Sequence, residues 1–176
     1  MNIDVHAHYI PPGSLKAASD VGRSHGLKLE KDERDRDVLT RDDRPLLTQP
    51  KGEFSDLDLR LSIMDHQGVD MQALAPAGSY FFYWMAAANG LEYARWLNDR
   101  FAEAVAKHPR RFVGLASVPM QDGALAAVEL ERAIAKLGFA RRGDRLEHQR
   151  PLFGRPRLRT FLGGGASVGC ADLRPS

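Results

Sequence analysis

Two histidines lie two residues apart near the start of the chain, at His6 and His8, in a short apolar run. In a β-strand alternate side chains point to one face, so both imidazoles would face the same side. Neutral imidazole is a common ligand of zinc and similar divalent ions, and two rings on one face could share an ion. The alternative is one core histidine and one solvent histidine. Because Pro11-Pro12 cannot continue a central strand, the pair is predicted at the strand's carboxyl end, where barrel enzymes place their chemistry.

The elements that would position this pair alternate between strand and helix. Short apolar runs predict strands at residues 2–8, 69–74 and 112–118, and three- and four-residue apolar steps predict helices at 56–66, 84–108 and 124–137. Gly68 and Gly138 are expected to cap the first and third helices, and Pro109 to end the second. This order predicts a parallel sheet covered by helices, either an open doubly wound sheet or part of a barrel. No Gly-rich phosphate loop follows the first strand, which argues against nucleotide binding.

The connection between the first strand and the first predicted helix, residues 11–55, is polar and rich in charge, Gly and Pro. It shows no sustained periodicity, so an irregular loop is predicted, with residues 34–43 as solvated surface. Loops of this length in compact enzymes are usually functional or disordered.

Bulk composition excludes several classes of protein. A chain of 176 residues, 43% of them hydrophobic, suits one domain with a real core. Net charge is +2, and the basic segment 141–176 is rich in Gly and Pro without a period, so neither nucleic acid nor membrane is predicted as a partner. Cys170 is the single cysteine, which excludes an internal disulfide and predicts a reducing, cytoplasmic location. We expect no signal peptide, and no apolar run approaches the roughly 20 residues that span a bilayer.

Motifs spread over residues 2–139 resemble the amidohydrolase-related decarboxylases, with the aminocarboxymuconate-semialdehyde and related aromatic-acid decarboxylases nearest in pattern. The matching segments are Ile3 to Pro11, Leu59-Arg60, Met64-Asp65-His66-Gln67-Gly68-Val69-Asp70-Met71-Gln72-Ala73-Leu74, Asn98-Asp99 with Phe101, His108-Pro109-Arg110-Arg111-Phe112, and Val118-Pro119-Met120-Gln121-Asp122. The resemblance implies an α/β fold in which residues 1–139 form about three βα units of a (β/α)₈ barrel.

The resemblance also implies a site and a reaction. In the family a divalent metal, usually zinc, is held by the strand-one histidine pair, a later His and a later Asp, so His6 and His8 are the expected ligands here. An arginine in the first loop contacts the substrate carboxylate in some members. Arg44 is the best match, and its planar fork suits a carboxylate, although it could equally be one more charge in a charged loop. The implied reaction is non-oxidative decarboxylation of an aromatic or muconate-type carboxylic acid, with a homodimer for full-length relatives.

The chain departs from the family pattern after Phe139. A (β/α)₈ barrel needs about 250 residues, with about 200 as a practical minimum, and residues 140–176 read as an irregular Arg- and Gly-rich tail. If residues 140 onward are written in GC-rich codons and read from the second base of each codon, residues 140–155 can yield R-G-V-E-I-G-S-N-I-N-G-R. The end of the chain, read in the same shifted frame, can yield F-V-H-P. These strings match the strand, loop and His-Pro that the family expects. We therefore hypothesise a one-base frameshift near codon 139, with a natural divergent tail as the alternative.

The encoded chain lacks the later His and Asp ligands, and a catalytic zinc site needs three protein ligands plus water. We therefore expect weak zinc binding and no decarboxylase activity from this chain. Two other functions stay open. One is hydrolysis of a C–N or lactone bond by the same metal chemistry, and the other is a non-catalytic remnant that binds no substrate.

Overall fold

The computed structural model describes residues 1–139, and the tail predicted to be irregular lies outside them. In chain order the elements are β1 (Ile3–His8), α1 (Ser14–Gly22), β2 (Leu27–Lys31), β3 (Asp37–Arg41), β4 (Arg44–Thr48), α2 (Leu57–Gln67), β5 (Met71–Ala75), α3 (Ala87–Lys107), β6 (Phe112–Gly114) and α4 (Gly123–Leu137). No helix among these residues is long and apolar enough to cross a lipid bilayer.

Three of the strands form the predicted parallel sheet, in the order β1-β5-β6. Between them run α2 and α3, and α4 follows the last strand, so the alternation of strand and helix is confirmed. The third strand is shorter than predicted, since pairing with β5 stops at Gly114. The carboxyl ends of β1, β5 and β6 therefore meet at one edge, which carries His8.

The ends of the helices follow the expected local chemistry. The Asp56 carboxylate accepts hydrogen bonds from the Asp58 and Leu59 backbone N–H groups and so caps α2. Gly68 ends that helix in the left-handed region, with φ of 68°, where its N–H reaches the carbonyls of Asp65 and Met64. Gly138 ends α4 in the same conformation.

The prediction of an irregular loop over residues 11–55 is wrong. This segment contains α1 and an antiparallel sheet in the order β2-β3-β4. The stretch 34–43, predicted as solvated surface, includes all of β3, in which Leu39 is fully buried. The reason is tertiary packing: Leu27 and Leu39 join a buried cluster with residues of α1 and α3, so short strands gain apolar burial that local sequence does not show.

The apolar core lies in two clusters. One packs the antiparallel β2-β3-β4 sheet (residues 27–48, the insertion) against α1, α3 and the aromatic segment after β5, and includes Tyr80, Phe82 and Tyr93. The other lies between the parallel sheet and its helices, where Met64, Leu74 and Phe101 are fully buried. The second cluster packs against β1, the strand that carries the histidine pair.

Candidate metal centre

His6 and His8 lie beside each other at the carboxyl end of β1. Their ring centroids are 4.9 Å apart and the rings meet edge to face at 76°. His6 is exposed and His8 is half-buried, so the pair opens toward solvent. The Nδ1 atom of His8 is buried and has no hydrogen-bond partner among residues 1–139.

The backbone around the pair is irregular. Asp4 pairs with Gln72 and Ala7 with Leu74, so β1 carries one more residue than β5 over this interval. An extra residue of this kind breaks the ladder locally and re-aims side chains. The His6 N–H donates to Asp4 Oδ1 at 3.0 Å, so a side chain takes the place of a strand partner.

A buried guanidinium lies behind this irregular strand. Arg60, on α2, is only 5% exposed, and it donates from Nη1 to Gln72 Oε1 at 2.9 Å and from Nη2 to the His8 carbonyl. Burial lowers the pKa of Arg60, partly offset by the negative charges of Glu53 and Asp4. No role for Arg60 followed from the sequence. The sequence feature that could have pointed to Arg60 was its position three residues after Leu57 and four before Met64. This position places an arginine on the apolar stripe of α2.

The donor set fits part of a metal site. Two imidazoles on one ion, each at about 2.0–2.1 Å with near-tetrahedral angles, place their centroids about 5 Å apart, which is close to the separation seen here. Within residues 1–139 no group of three or more His, Cys, Asp or Glu side chains could hold an ion. Among the described residues the pair therefore offers two candidate donors, and a catalytic zinc site needs at least one more.

Arg44 lies at the start of β4, outside this centre. It follows a two-residue turn in which Asp42 and Asp43 have φ of 51° and 60°. Its side chain is exposed, and no hydrogen bond or ion pair within the described part of the chain joins it to His6 or His8. The structure thus brings the two histidines together but does not bring the arginine to them.

A parallel βα arrangement with paired histidines at the carboxyl end of its first strand is typical of the N-terminal part of a metal-dependent (β/α)₈-barrel enzyme. A family model described as Amidohydrolase matches residues 3–162, and the chain belongs to the amidohydrolase family. The match extends past residue 139 into the segment predicted as an aberrant tail.

Curated relatives in this family include decarboxylases. The chain is 29% identical over 139 residues to 2-amino-3-carboxymuconate-6-semialdehyde decarboxylase of Dictyostelium discoideum, covering 79% of this chain and 38% of that protein. It is 43% identical over 82 residues to gamma-resorcylate decarboxylase of a Polaromonas strain, covering 47% of this chain and 25% of that protein. The chain thus spans between a quarter and two fifths of the length of these relatives.

Solved structures agree with the part-barrel fold. The 5-carboxyvanillate decarboxylase of Sphingomonas paucimobilis aligns with a TM-score of 0.57 and 30% identity, over 78% of this chain and 40% of that one. A dihydroxybenzoic acid decarboxylase of Polaromonas, solved with bound manganese, aligns with a TM-score of 0.54 and 29% identity, over 79% of this chain and 37% of that one. Family and fold identify an enzyme by resemblance.

Proposed function

We propose that this chain is the N-terminal part of a divalent-metal-dependent, non-oxidative decarboxylase for an aromatic or muconate-type carboxylic acid. The observation that carries the proposal is the adjacent His6–His8 pair at the end of β1, in a chain whose curated relatives are decarboxylases. That the relatives named above are carboxy-lyases favours decarboxylation over hydrolysis of a C–N or lactone bond. The proposal includes a cytoplasmic location, supported by the single cysteine.

In this proposal His6 and His8 hold the ion, which we take to be zinc. When bound, the ion would supply Lewis-acid polarisation and a water of lowered pKa. The chain's own residues have simpler roles. The two imidazoles stay neutral to act as ligands, and the exposed side of His6 leaves the centre open to a small carboxylic acid.

Arg44 is proposed to bind the substrate carboxylate. A guanidinium offers two parallel N–H donors to the two carboxylate oxygens, which fixes orientation as well as charge. Its exposed position on a hairpin, rather than in the core, leaves those donors accessible. In the same proposal residues 1–139 are the N-terminal portion of the barrel domain, and residues 140–176 are an aberrant Arg- and Gly-rich tail.

The metal ligands are tested by zinc titration of the purified chain, following the imidazole ring signals by NMR. We expect weak binding that perturbs the His6 and His8 rings, because two donors on one strand give an incomplete site. His6→Ala and His8→Ala should each abolish it, whereas His66→Ala, at an exposed position on α2, should leave it unchanged. Retention of the same affinity in both ligand variants would exclude this site.

A further inference from the structure

Three hydrogen-bonded side chains, the Arg60–Gln72–Asp4 chain, lie behind the histidine pair and join α2, β5 and β1. Arg60 on α2 donates to Gln72 on β5, and the Gln72 Nε2 atom donates to Asp4 Oδ2 on β1 at 3.0 Å. The two ends of this chain reach the backbone of the pair. Asp4 accepts the His6 N–H, and Arg60 donates to the His8 carbonyl.

Of these two backbone groups, the His6 N–H lies in the interval where the strand register shifts, and the His8 carbonyl lies just beyond it, where pairing with β5 has resumed. One extra residue between Asp4 and Ala7 takes His6 out of register with β5. A bulged strand has fewer partners to fix the direction of its side chains. The Arg60–Gln72–Asp4 chain contributes one hydrogen bond on each side of Ala7, to the His6 N–H inside the shifted interval and to the His8 carbonyl after it.

Burying a guanidinium is costly, and an apolar residue of similar volume is often neutral or stabilising at such a position. Core packing alone therefore does not account for an arginine that is 5% exposed on the apolar stripe of α2. What an apolar residue would lack is directed donors to Gln72 and the His8 carbonyl. The negative charge of Glu53 and, more weakly, that of Asp4 at the far end of the chain partly offset the cost of burying the positive charge.

We propose that Arg60 is a positioning residue for the His6–His8 pair, acting on the backbone of β1 directly at His8 and through Gln72 and Asp4 at His6. Arg60 holds the two rings at the separation that a shared ion needs. This inference rests on the proposed metal-binding function, but it also makes a statement about the metal-free chain. In that state, too, the relative placement of the two rings depends on Arg60.

The first experiment uses the metal-free chain and Arg60→Met, which keeps most of the side-chain volume and removes the donors. We expect loss of the nuclear Overhauser contact between the His6 and His8 rings and faster exchange of the His6 amide proton. Gln72→Met should speed exchange at His6 and leave the Arg60 bond to the His8 carbonyl in place. Met64→Val, a buried change one turn further along α2, is the control for general loss of stability.

The second experiment measures zinc affinity of the same variants. Loss of groups that orient metal ligands typically weakens binding 10- to 100-fold, so we expect at least about a tenfold loss in Arg60→Met and none in Met64→Val. If zinc binding and the ring contact are unchanged in Arg60→Met, the positioning role is wrong although the metal site stands. If the wild-type chain binds no zinc but Arg60→Met alters the ring contact, the positioning role stands and the metal site is wrong.

Discussion

The Glu129 carboxylate shows how single residues hold the barrel portion together. It is fully buried on α4 and accepts hydrogen bonds from Arg132 Nε at 2.9 Å and Asn98 Nδ2 at 2.7 Å, while Arg95 Nε lies 3.2 Å away. Asn98 in turn donates to the Ser117 carbonyl and accepts the Ser117 N–H, both at 2.8 Å. One carboxylate thus fixes α4, α3 and the segment after β6.

Replacing Glu129 by Ala should destabilise the protein by about 2–3 kcal/mol, because it leaves the buried Asn98 donor and part of the Arg132 charge unpaired. The two arginines keep some access to water, which limits the loss. The measurement is urea unfolding. Glu131→Ala, at an exposed position on the same helix, should change stability by less than about 0.5 kcal/mol. Equal effects of the two substitutions would contradict the network.

Buried tyrosines predict a loss of stability at alkaline pH. Burial raises the pKa of Tyr93 well above its usual value and that of Tyr80 to about 12, while both titrate near 10 in the unfolded chain. Above pH 10 the unfolded chain therefore releases protons that the folded protein keeps, and stability falls as pH rises.

Tyr93→Phe removes the contribution of the Tyr93 hydroxyl to the alkaline loss of stability. The variant should therefore lose less stability between pH 9 and 11 than the wild type. The Tyr93 hydroxyl has no hydrogen-bond partner among the described residues, so the variant should also be no less stable at neutral pH. The readout is the melting temperature as a function of pH. Burial also raises the pKa of Tyr83, but less than that of Tyr93, so Tyr83→Phe at this more exposed ring should change the pH slope less. An identical pH slope in all three proteins would refute the assignment.

At the scale of elements, the insertion packs on α3 through its buried cluster, and a second set of contacts joins residues near the β3–β4 turn to the segment just before α3. The Arg41 guanidinium lies 3.9 Å from the centre of the Trp84 ring, and His25 Nε2 accepts the Ala86 N–H at 3.0 Å just before α3. The Asp42 N–H donates to the Gly26 carbonyl at 3.3 Å. These contacts fix the turn that precedes Arg44. They therefore limit the positions that the Arg44 side chain can occupy.

Trp84→Ala should loosen this hairpin without unfolding the parallel sheet. Loss of an exposed cation–π contact is worth about 0.5–1 kcal/mol, which corresponds to a several-fold fall in hydrogen-exchange protection of β3 and β4 amides. The amides of β5 should keep their protection. Tyr83→Ala removes a neighbouring ring that stacks on Phe81 instead, so it should spare the hairpin. Uniform loss of protection across both sheets would show that the turn is not an independent attachment.

Sequence pattern predicted the three βα units because each signal was local. Asp56 and Gly68 bound α2 by capping chemistry, and the apolar face of α3 repeats over about four turns. The insertion was missed because its apolar residues are buried by packing on α1 and α3, which local sequence does not show, and because the turn at Asp42-Asp43 contains no glycine. The proximity of His6 and His8 followed from strand periodicity, whereas the chain of hydrogen bonds through Arg60 joins residues up to 68 positions apart and has no local signature.

At the scale of the molecule, the described residues form one side of a barrel. β1 and β6 are the outer strands of a three-stranded parallel sheet, whereas a complete barrel closes eight. The alignment to solved decarboxylases covers at most 40% of their chains in the cases described above. If His6 and His8 hold the proposed ion, two imidazoles on one strand do not define its coordination geometry, because a catalytic site requires a third protein ligand and a supported water.

The last prediction follows from that geometry and concerns activity. The 176-residue chain should release no CO₂ from 2,6-dihydroxybenzoate or 5-carboxyvanillate in the presence of zinc or manganese. A second protein keeps residues 1–139 and is then translated in the alternative frame from codon 140 through the downstream DNA. This longer protein should gain the missing ligands and release CO₂. His6→Ala and His8→Ala in that longer protein should abolish turnover, while His66→Ala should not. Sequencing the locus tests the frameshift directly, and normal turnover by the 176-residue chain would show that its own residues complete the site.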